Sequence, residues 1–205
     1  MKSQPRTLLQ MAGAPLHASP LDRSALLLID PQLEYVTGAL PLAGVEEAIA
    51  EAARVLALAR KHGVPVFHIV HHSRPGAAAF DPLGPYAAII PELTPREGET
   101  VLVKSLPNAF AGTDLHSRIQ ALGRKELILA GFATHMCISA TARSALDHGY
   151  RTTVVDTATA TRDLPHPTGK GVVAAASIHQ ATLAALADRF AVIVADAAAL
   201  AQPAG

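Results

Sequence analysis

Residues 25–30 read Ala-Leu-Leu-Leu-Ile-Asp, and Pro31 follows them. Five consecutive apolar residues that end at an acid and a proline indicate a short strand buried on both faces. Strands of this kind belong to parallel sheets that are covered by helices on both sides. This stretch therefore gives the first indication of the fold.

Further short apolar runs follow along the chain, and segments with helical spacing separate them. A helix is predicted at residues 44–62, where apolar residues recur every three or four positions and Gly63 ends the pattern. The other predicted strands are residues 64–70, 100–103, 126–130, 152–155 and 191–194, and the other predicted helices are residues 113–122, 137–148 and 170–188. This alternation predicts an α/β fold with three layers, α/β/α, around a mostly parallel six-stranded sheet.

The composition excludes several classes of protein. The chain has 205 residues, with 17 Lys+Arg against 17 Asp+Glu. This length predicts a single domain, placed at residues 23–205, after an N-terminal arm at residues 1–22. The balanced charge indicates no nucleic-acid partner. No apolar run reaches about 18 residues, so no membrane span is predicted. The single cysteine, Cys137, permits no internal disulfide, so a cytoplasmic protein is expected.

Three residues whose side chains could take part in catalysis lie at or after the ends of strands of the predicted sheet. Asp30 ends the first strand, Lys104 follows the third, and Cys137 begins the helix after the fourth. The carboxyl ends of parallel strands share one edge, so these side chains are expected to meet. A thiol, a carboxylate and an ammonium can serve as nucleophile, base and charge stabiliser. Because a helix N-terminus and a nearby ammonium favour a thiolate, the pKa of Cys137 is expected to be lowered.

Each of these residues also has a simpler interpretation. Asp30 could cap a turn, Lys104 could be a solvated charge, and Cys137 could be an inert core thiol. A non-catalytic protein that binds a small ligand at the same edge is therefore an alternative.

Three motifs in this order resemble the isochorismatase-like cysteine hydrolases. They are ALLLIDPQ at residues 25–32, VKSLPNAFAGTDL at residues 103–115 and LAGFATHMC at residues 129–137. The superfamily includes nicotinamidases, N-carbamoylsarcosine amidases and ureidoacrylate amidohydrolases. The resemblance runs from about residue 23 to residue 195, and it implies the Rossmann-like fold of this superfamily.

The resemblance implies a role for each of the three residues. Asp30 would be the general base, Lys104 the cation and Cys137 the nucleophile. It also implies a cis peptide bond between Phe132 and Ala133, which would aim the N–H groups of Ala133 and Cys137 at an oxyanion. The implied reaction cleaves a small-molecule amide or a related C–N bond through a thioester. The alternative reaction is isochorismate-type vinyl ether hydrolysis, which in this superfamily needs the acid and the lysine but no thiol nucleophile.

Four further residues are predicted to contact the substrate: Tyr35, Phe110, His71 and Gln32. Tyr35 and Phe110 could stack on the substrate or pack in the core. Gln32 could orient the base or the substrate, or satisfy a turn.

No cofactor and no metal ion are expected. Nicotinamidases of the superfamily bind a metal through an Asp-x-His segment and a further histidine, whereas residues 68–73 read HIVHHS and contain no acid. His68, His71 and His72 are therefore expected to line the pocket or to form hydrogen bonds. The expected partners are a small-molecule substrate and further copies of the chain, because relatives are commonly homo-oligomers of two or more subunits.

Overall fold

The centre of the fold is a six-stranded sheet, seen in a computed structural model that describes residues 4–201. The strands are β1 Ser24–Ile29, β2 Val66–His71, β3 Thr100–Lys104, β4 Glu126–Phe132, β5 Arg151–Ala160, β6 Leu164–Pro165, β7 Val172–Val173 and β8 Val192–Val194. The sheet has the order β3-β2-β1-β4-β5-β8, and all its pairings are parallel. Strands β6 and β7 form a separate antiparallel pair. The predicted six-stranded parallel sheet is confirmed.

Helices cover both faces of this sheet. They are α1 Leu8–Met11, α2 Val45–Lys61, α3 Leu115–Ala121, α4 Ser139–Asp147, α5 Ala175–Arg189 and α6 Ala197–Leu200, with 3-10 turns at Leu21–Arg23, Leu33–Tyr35, Pro85–Ala87 and Pro91–Leu93. Alternate residues of β1 enter different cores. Leu26 and Leu28 pack with α2 and α6, whereas Leu27 and Ile29 pack with α3, α4 and α5. Burial on both faces explains why this strand is apolar without interruption.

Several boundaries differ from the sequence-based prediction. The helix predicted at residues 137–148 begins at Ser139, because a π-helical turn, Thr134–Ile138, precedes it. The helix predicted from residue 170 begins at Ala175, since residues 172–173 pair with β6 instead. The fifth strand continues to Ala160, because its last residues pair with β4 beyond a register shift.

A close approach between β1 and β4 brings the two strand ends together. Gly131 has φ +110°, and a Cβ atom at this position would lie 2.1 Å from the carbonyl oxygen of Ile29. Only glycine fits both the backbone conformation and the space. Asp30 and the turn after β4 are adjacent as a result.

Hydrogen bonds attach the long loop after β2 to the turn after β1. The Gln32 amide donates to the carbonyl oxygens of His71 (3.1 Å) and Ala87 (2.8 Å), and its oxygen accepts from the His71 N–H (2.7 Å). A carboxylate oxygen of Glu34 accepts from the N–H of Phe80 at 2.8 Å. The loop is therefore held over the carboxyl edge of the sheet.

The described part of the predicted arm packs on its own chain. The N–H of Leu8 donates to Asp188 in α5, and the N–H of Ser19 donates to Thr153 in β5, both at 2.8 Å. Residues 1–3 of the predicted arm and 202–205 of the predicted domain lie outside the described residues. Within the described part, none of the helices is long and apolar enough to cross a membrane.

Candidate active site

The side chains of Asp30, Lys104 and Cys137 meet at the carboxyl edge of the sheet. The ammonium of Lys104 lies 2.8 Å from Oδ2 of Asp30 and 3.3 Å from Sγ of Cys137. All three side chains are buried, and those of Asp30 and Lys104 have no solvent exposure. Residues that are up to 107 positions apart in sequence thus form one cluster, as the strand ends predicted.

Lys104 also contacts a histidine. Its ammonium lies 3.1 Å from Nδ1 of His71, the last residue of β2. The three protons of the ammonium therefore have three acceptors: a carboxylate, an imidazole and a sulfur. The side chain of His71 thus contacts Lys104, which the sequence did not predict.

The carboxylate of Asp30 is held in an unusual backbone conformation. Its φ is +47°, in the left-handed region that few residues other than glycine adopt. Oδ1 makes no hydrogen bond within the described residues, so it is available to accept a proton. Burial raises the pKa of this carboxyl, and the charge of Lys104 opposes the rise.

The thiol of Cys137 corrects an expectation from the sequence. Burial and the charge of Asp30 raise its pKa to about 12, although Lys104 acts in the opposite direction. The expected lowering of the pKa is therefore wrong for the resting site, because Cys137 lies inside the π-helical turn and beside an acid. One ammonium between two acidic groups favours a state in which those groups share one proton.

A chain of hydrogen bonds holds the turn that carries Cys137. The peptide bond between Phe132 and Ala133 is cis. The next hydroxyl, Oγ1 of Thr134, lies 3.0 Å from Nδ1 of His179, whose Nε2 lies 2.7 Å from Asp156. His179 of α5 and Asp156 of β5 therefore hold the turn through Thr134.

Two of the four residues predicted to contact the substrate make other contacts in this structure. Phe110 packs on His148 at 4.8 Å and on Tyr150 at 5.9 Å. Tyr150 directly precedes β5, so the Phe110 ring packs toward the amino edge of the sheet, and its contact with a substrate stays a prediction. Gln32 is fully buried with its amide bonded to backbone groups. It has no free polar atom for a substrate, so its role is to close the loop.

Tyr35 lies beside the cluster, under the long loop. Its ring packs edge-on against Phe80 at 5.2 Å and Phe132 at 5.9 Å, and its exposed fraction is 4%. Burial, together with the charges of Asp30 and Cys137, raises the pKa of its hydroxyl well above the ordinary range. Tyr35 therefore packs in the core and also borders the cluster.

His68 belongs to an ion-pair network rather than to the cluster of Asp30, Lys104 and Cys137. Its Nε2 lies 2.9 Å from Oε2 of Glu99, which also pairs with Arg60 at 2.7–2.8 Å. Burial lowers the pKa of His68. Among the residues that the structure describes, no group of three or more His, Cys, Asp or Glu side chains is arranged to hold a metal ion.

Arg162 and His135 stand near the site without having been predicted there. Burial and the charge of Arg162 lower the pKa of His135, whose Nδ1 contacts the hydroxyl of Thr161. Arg162 also acts on the hydroxyl of Tyr35. Its side chain donates to the carbonyl oxygen of Asp163 at 3.3 Å. The available signal in the sequence was a cation two residues after the fifth strand, at the edge that also carries Asp30 and Lys104.

The comparisons with known proteins agree on one family. The family model described as "Isochorismatase domain" matches residues 24–198. A solved structure of an isochorismatase from Pseudomonas putida is 44% identical, with a TM-score of 0.89, and the match covers 96% of this chain and 100% of that one.

Two curated relatives are similar over most of the domain. The secreted isochorismatase effector Isc1 of Verticillium dahliae is 34% identical, over 90% of this chain and 94% of its own length. The maleamate amidohydrolase of Pseudomonas putida is 36% identical, over 65% of this chain and 70% of its own length.

An α/β/α hydrolase is the class that this fold and these relatives define. More specifically, the chain belongs to the isochorismatase family.

Proposed function

We propose that the chain is a cysteine hydrolase that cleaves a small-molecule amide or a related C–N bond through a thioester. The observation that carries this proposal is the buried ammonium of Lys104 between Oδ2 of Asp30 and Sγ of Cys137. A base, a cation and a nucleophile within one hydrogen-bonded cluster are the groups that covalent amide cleavage needs. A relative that is named an amidohydrolase adds support.

The reaction follows from the placement of the groups. As Sγ of Cys137 attacks the carbonyl carbon, its proton moves to the Asp30 carboxylate. Negative charge forms on the carbonyl oxygen, and the N–H groups of Ala133 and Cys137 would stabilise it. The C–N bond breaks, and the proton on Asp30 passes to the leaving nitrogen. A water molecule then gives a proton to Asp30 and attacks the thioester, which releases the acid and restores the thiol.

Arg162 favours a substrate that carries a carboxylate. It lies two residues after β5, at the carboxyl edge of the sheet, and its guanidinium donates one hydrogen bond within the described residues, to the carbonyl oxygen of Asp163. Arginine is well suited to carboxylates, because its planar guanidinium can donate two parallel hydrogen bonds. Tyr35 would form the wall beside the substrate.

The test of this function combines turnover with detection of the intermediate. Wild-type protein is incubated with a panel of small amides, the reaction is quenched within one turnover, and the mass of the protein is measured by mass spectrometry. An acyl group on Cys137 is expected, and it should be absent from Cys137→Ala together with activity. Turnover that persists at the wild-type rate in Cys137→Ala would exclude the thioester route.

A second candidate is hydrolysis of an isochorismate-type vinyl ether. A relative that is named an isochorismatase effector and is 34% identical over 90% of the chain favours it. This reaction would use Asp30 and Lys104 without the thiol. Cys137→Ala would then keep activity on a vinyl ether, whereas a protein that only binds ligands would show no turnover in any form.

We propose further that residues 23–205 form one domain after an arm, and that the protein is a cytoplasmic homo-oligomer with no membrane or nucleic-acid partner. The single cysteine supports a reducing compartment, although one relative is named as secreted. Fractionation of the native cells checks the compartment, and light scattering on the purified protein checks the number of subunits. A monomer at micromolar concentration would contradict the second part.

A further inference from the structure

The hydrogen bonds of Lys104 assign the imidazole of His71 to the reacting cluster. A buried ammonium needs an acceptor for each of its three protons. Asp30 and Cys137 supply two acceptors, and Nδ1 of His71 at 3.1 Å is the third. Without this imidazole, one proton of a fully buried cation would lack a protein partner.

The imidazole can accept this bond because it is neutral. Burial and the charges of Lys104 and His72 lower the pKa of His71 to about 4. In a neutral ring whose Nδ1 accepts, the proton lies on Nε2. Nε2 has no hydrogen-bond partner among residues 4–201, and the side chain is half-buried. One N–H donor is therefore left over at the edge of the cluster.

The ring is also fixed in orientation. Gln32 holds the backbone of His71 on both its N–H and its carbonyl, and the ring packs on Phe80 with 4.9 Å between centroids. A donor that is already oriented costs little entropy when a ligand binds to it. A metal ion is disfavoured at this imidazole, because an ammonium occupies its free lone pair and would repel a cation.

We propose that His71 is a fourth residue of the site, which positions Lys104 through Nδ1 and donates from Nε2–H to the substrate. The substrate class that this donor selects is an amide with a second oxygen acceptor near the scissile carbonyl. Only the second part of this inference, the hydrogen bond from Nε2–H to the substrate, rests on the proposed amide hydrolysis. The contact between His71 and Lys104 can be tested without any turnover.

The first experiment reads the protonation of the ring directly. Protein labelled with ¹⁵N-histidine is studied by NMR at pH 6–8, and the His71 signals are identified by their loss in His71→Asn. A neutral ring with its proton on Nε2 is expected. A proton on Nδ1, or a doubly protonated ring at pH 6, would overturn the proposed contact.

The second experiment separates the two nitrogens. Asparagine keeps an acceptor near the position of Nδ1 and lacks the outer donor, so His71→Asn should raise KM about tenfold with kcat within about twofold. Glutamine places an amide donor near Nε2 and loses the acceptor, so His71→Gln should lower kcat about tenfold with a smaller effect on KM. Equal losses of kcat in both variants would indicate a structural role and overturn the proposal.

A matched control is His62→Asn, at an exposed histidine that caps the end of α2. Its KM and kcat should equal those of the wild type. If the wild-type protein hydrolyses no amide in the panel, the proposed function fails, and the NMR spectrum alone then decides the contact between His71 and Lys104.

Discussion

Asp30 and Cys137 both have raised pKa values although a cation lies between them. Their burial explains part of this, since a buried anion is costly. For Cys137 the charge of Asp30 adds to the rise, because a second negative charge would have to form beside the first. The pair therefore favours a state with one shared proton, and in the proposed mechanism this proton passes from Cys137 to Asp30.

Asp30→Asn should separate the reactivity of the thiol from turnover. Removal of the carboxylate takes away a charge that raises the pKa of Cys137 and leaves Lys104 as its partner. Alkylation by iodoacetamide should then reach half its maximal rate at a lower pH than in the wild type. Hydrolysis should fall about 10²–10⁴-fold, because the base is lost. Asp147→Asn, at an exposed residue that ends α4, is the control, and an unchanged alkylation profile in Asp30→Asn would contradict the shared proton.

Arg162 gives a prediction about substrate charge. Arg162→Ala should raise KM for a carboxylate-bearing amide about 10–100-fold, as expected for loss of a charge-assisted hydrogen bond. The matching neutral amide should change less than about twofold. Steady-state kinetics on the two substrates measures the difference, and an equal effect on both would show that Arg162 acts only on the structure.

At the scale of the elements, Gly131 sets the distance between β1 and β4. Gly131→Ala should destabilise the protein by about 2–5 kcal/mol, because strain at positive φ adds to a clash with Ile29. Gly123→Ala is matched, since Gly123 also has positive φ but has open space around it. It should cost about 1–2 kcal/mol. Urea unfolding of both variants gives the comparison, and equal losses would refute the role of the close approach.

The network of Glu99, Arg60 and His68 ties β2 to the start of β3. Burial would raise the pKa of Glu99, but hydrogen bonds from Arg60, Arg96 and His68 lower it from 4.5 to about 2. A depressed pKa stabilises the fold above the unfolded value and loses that effect as pH falls from about 4.5 toward 2. Glu99→Gln should therefore cost about 1–2 kcal/mol at pH 7, less than the full shift implies because solvent reaches the pair.

The difference in unfolding free energy between wild type and Glu99→Gln should shrink below pH 4.5. Denaturant curves at pH 7, 5 and 3.5 check this. Glu97→Gln, at an exposed neighbour, is the control. A constant difference across this range would mean that the charge of Glu99 does not contribute.

The sequence predicted helices and strands well where the burial of apolar side chains determines them. The uninterrupted apolar run of β1 follows from burial on both faces, and its end located Asp30. The π-helical turn around Cys137 left no periodic signal, because five residues are too few to show a period. The contacts of Phe110 and Gln32 left no signal for another reason: no pattern shows which way a side chain in a loop points, and both contact distant segments.

For the whole molecule, the site should be lost only when the sheet is lost. Its parts lie at or just after the ends of β1, β3 and β4, which are joined through β2 in the order β3-β2-β1-β4. Urea curves followed by circular dichroism and by hydrolysis should therefore have the same midpoint. Hydrolysis that disappears at a clearly lower urea concentration would show that the edge of the sheet opens locally first.

The order of these parts along the chain also matters during synthesis. Asp30 leaves the ribosome first, Lys104 second and Cys137 last, and β5 follows the nucleophile. The growing chain thus carries no thiol at all through its first 136 residues. When the sulfur emerges, the strands that carry Asp30, His71 and Lys104 have already been made, whereas α4, β5 and α5, which complete its surroundings, follow it.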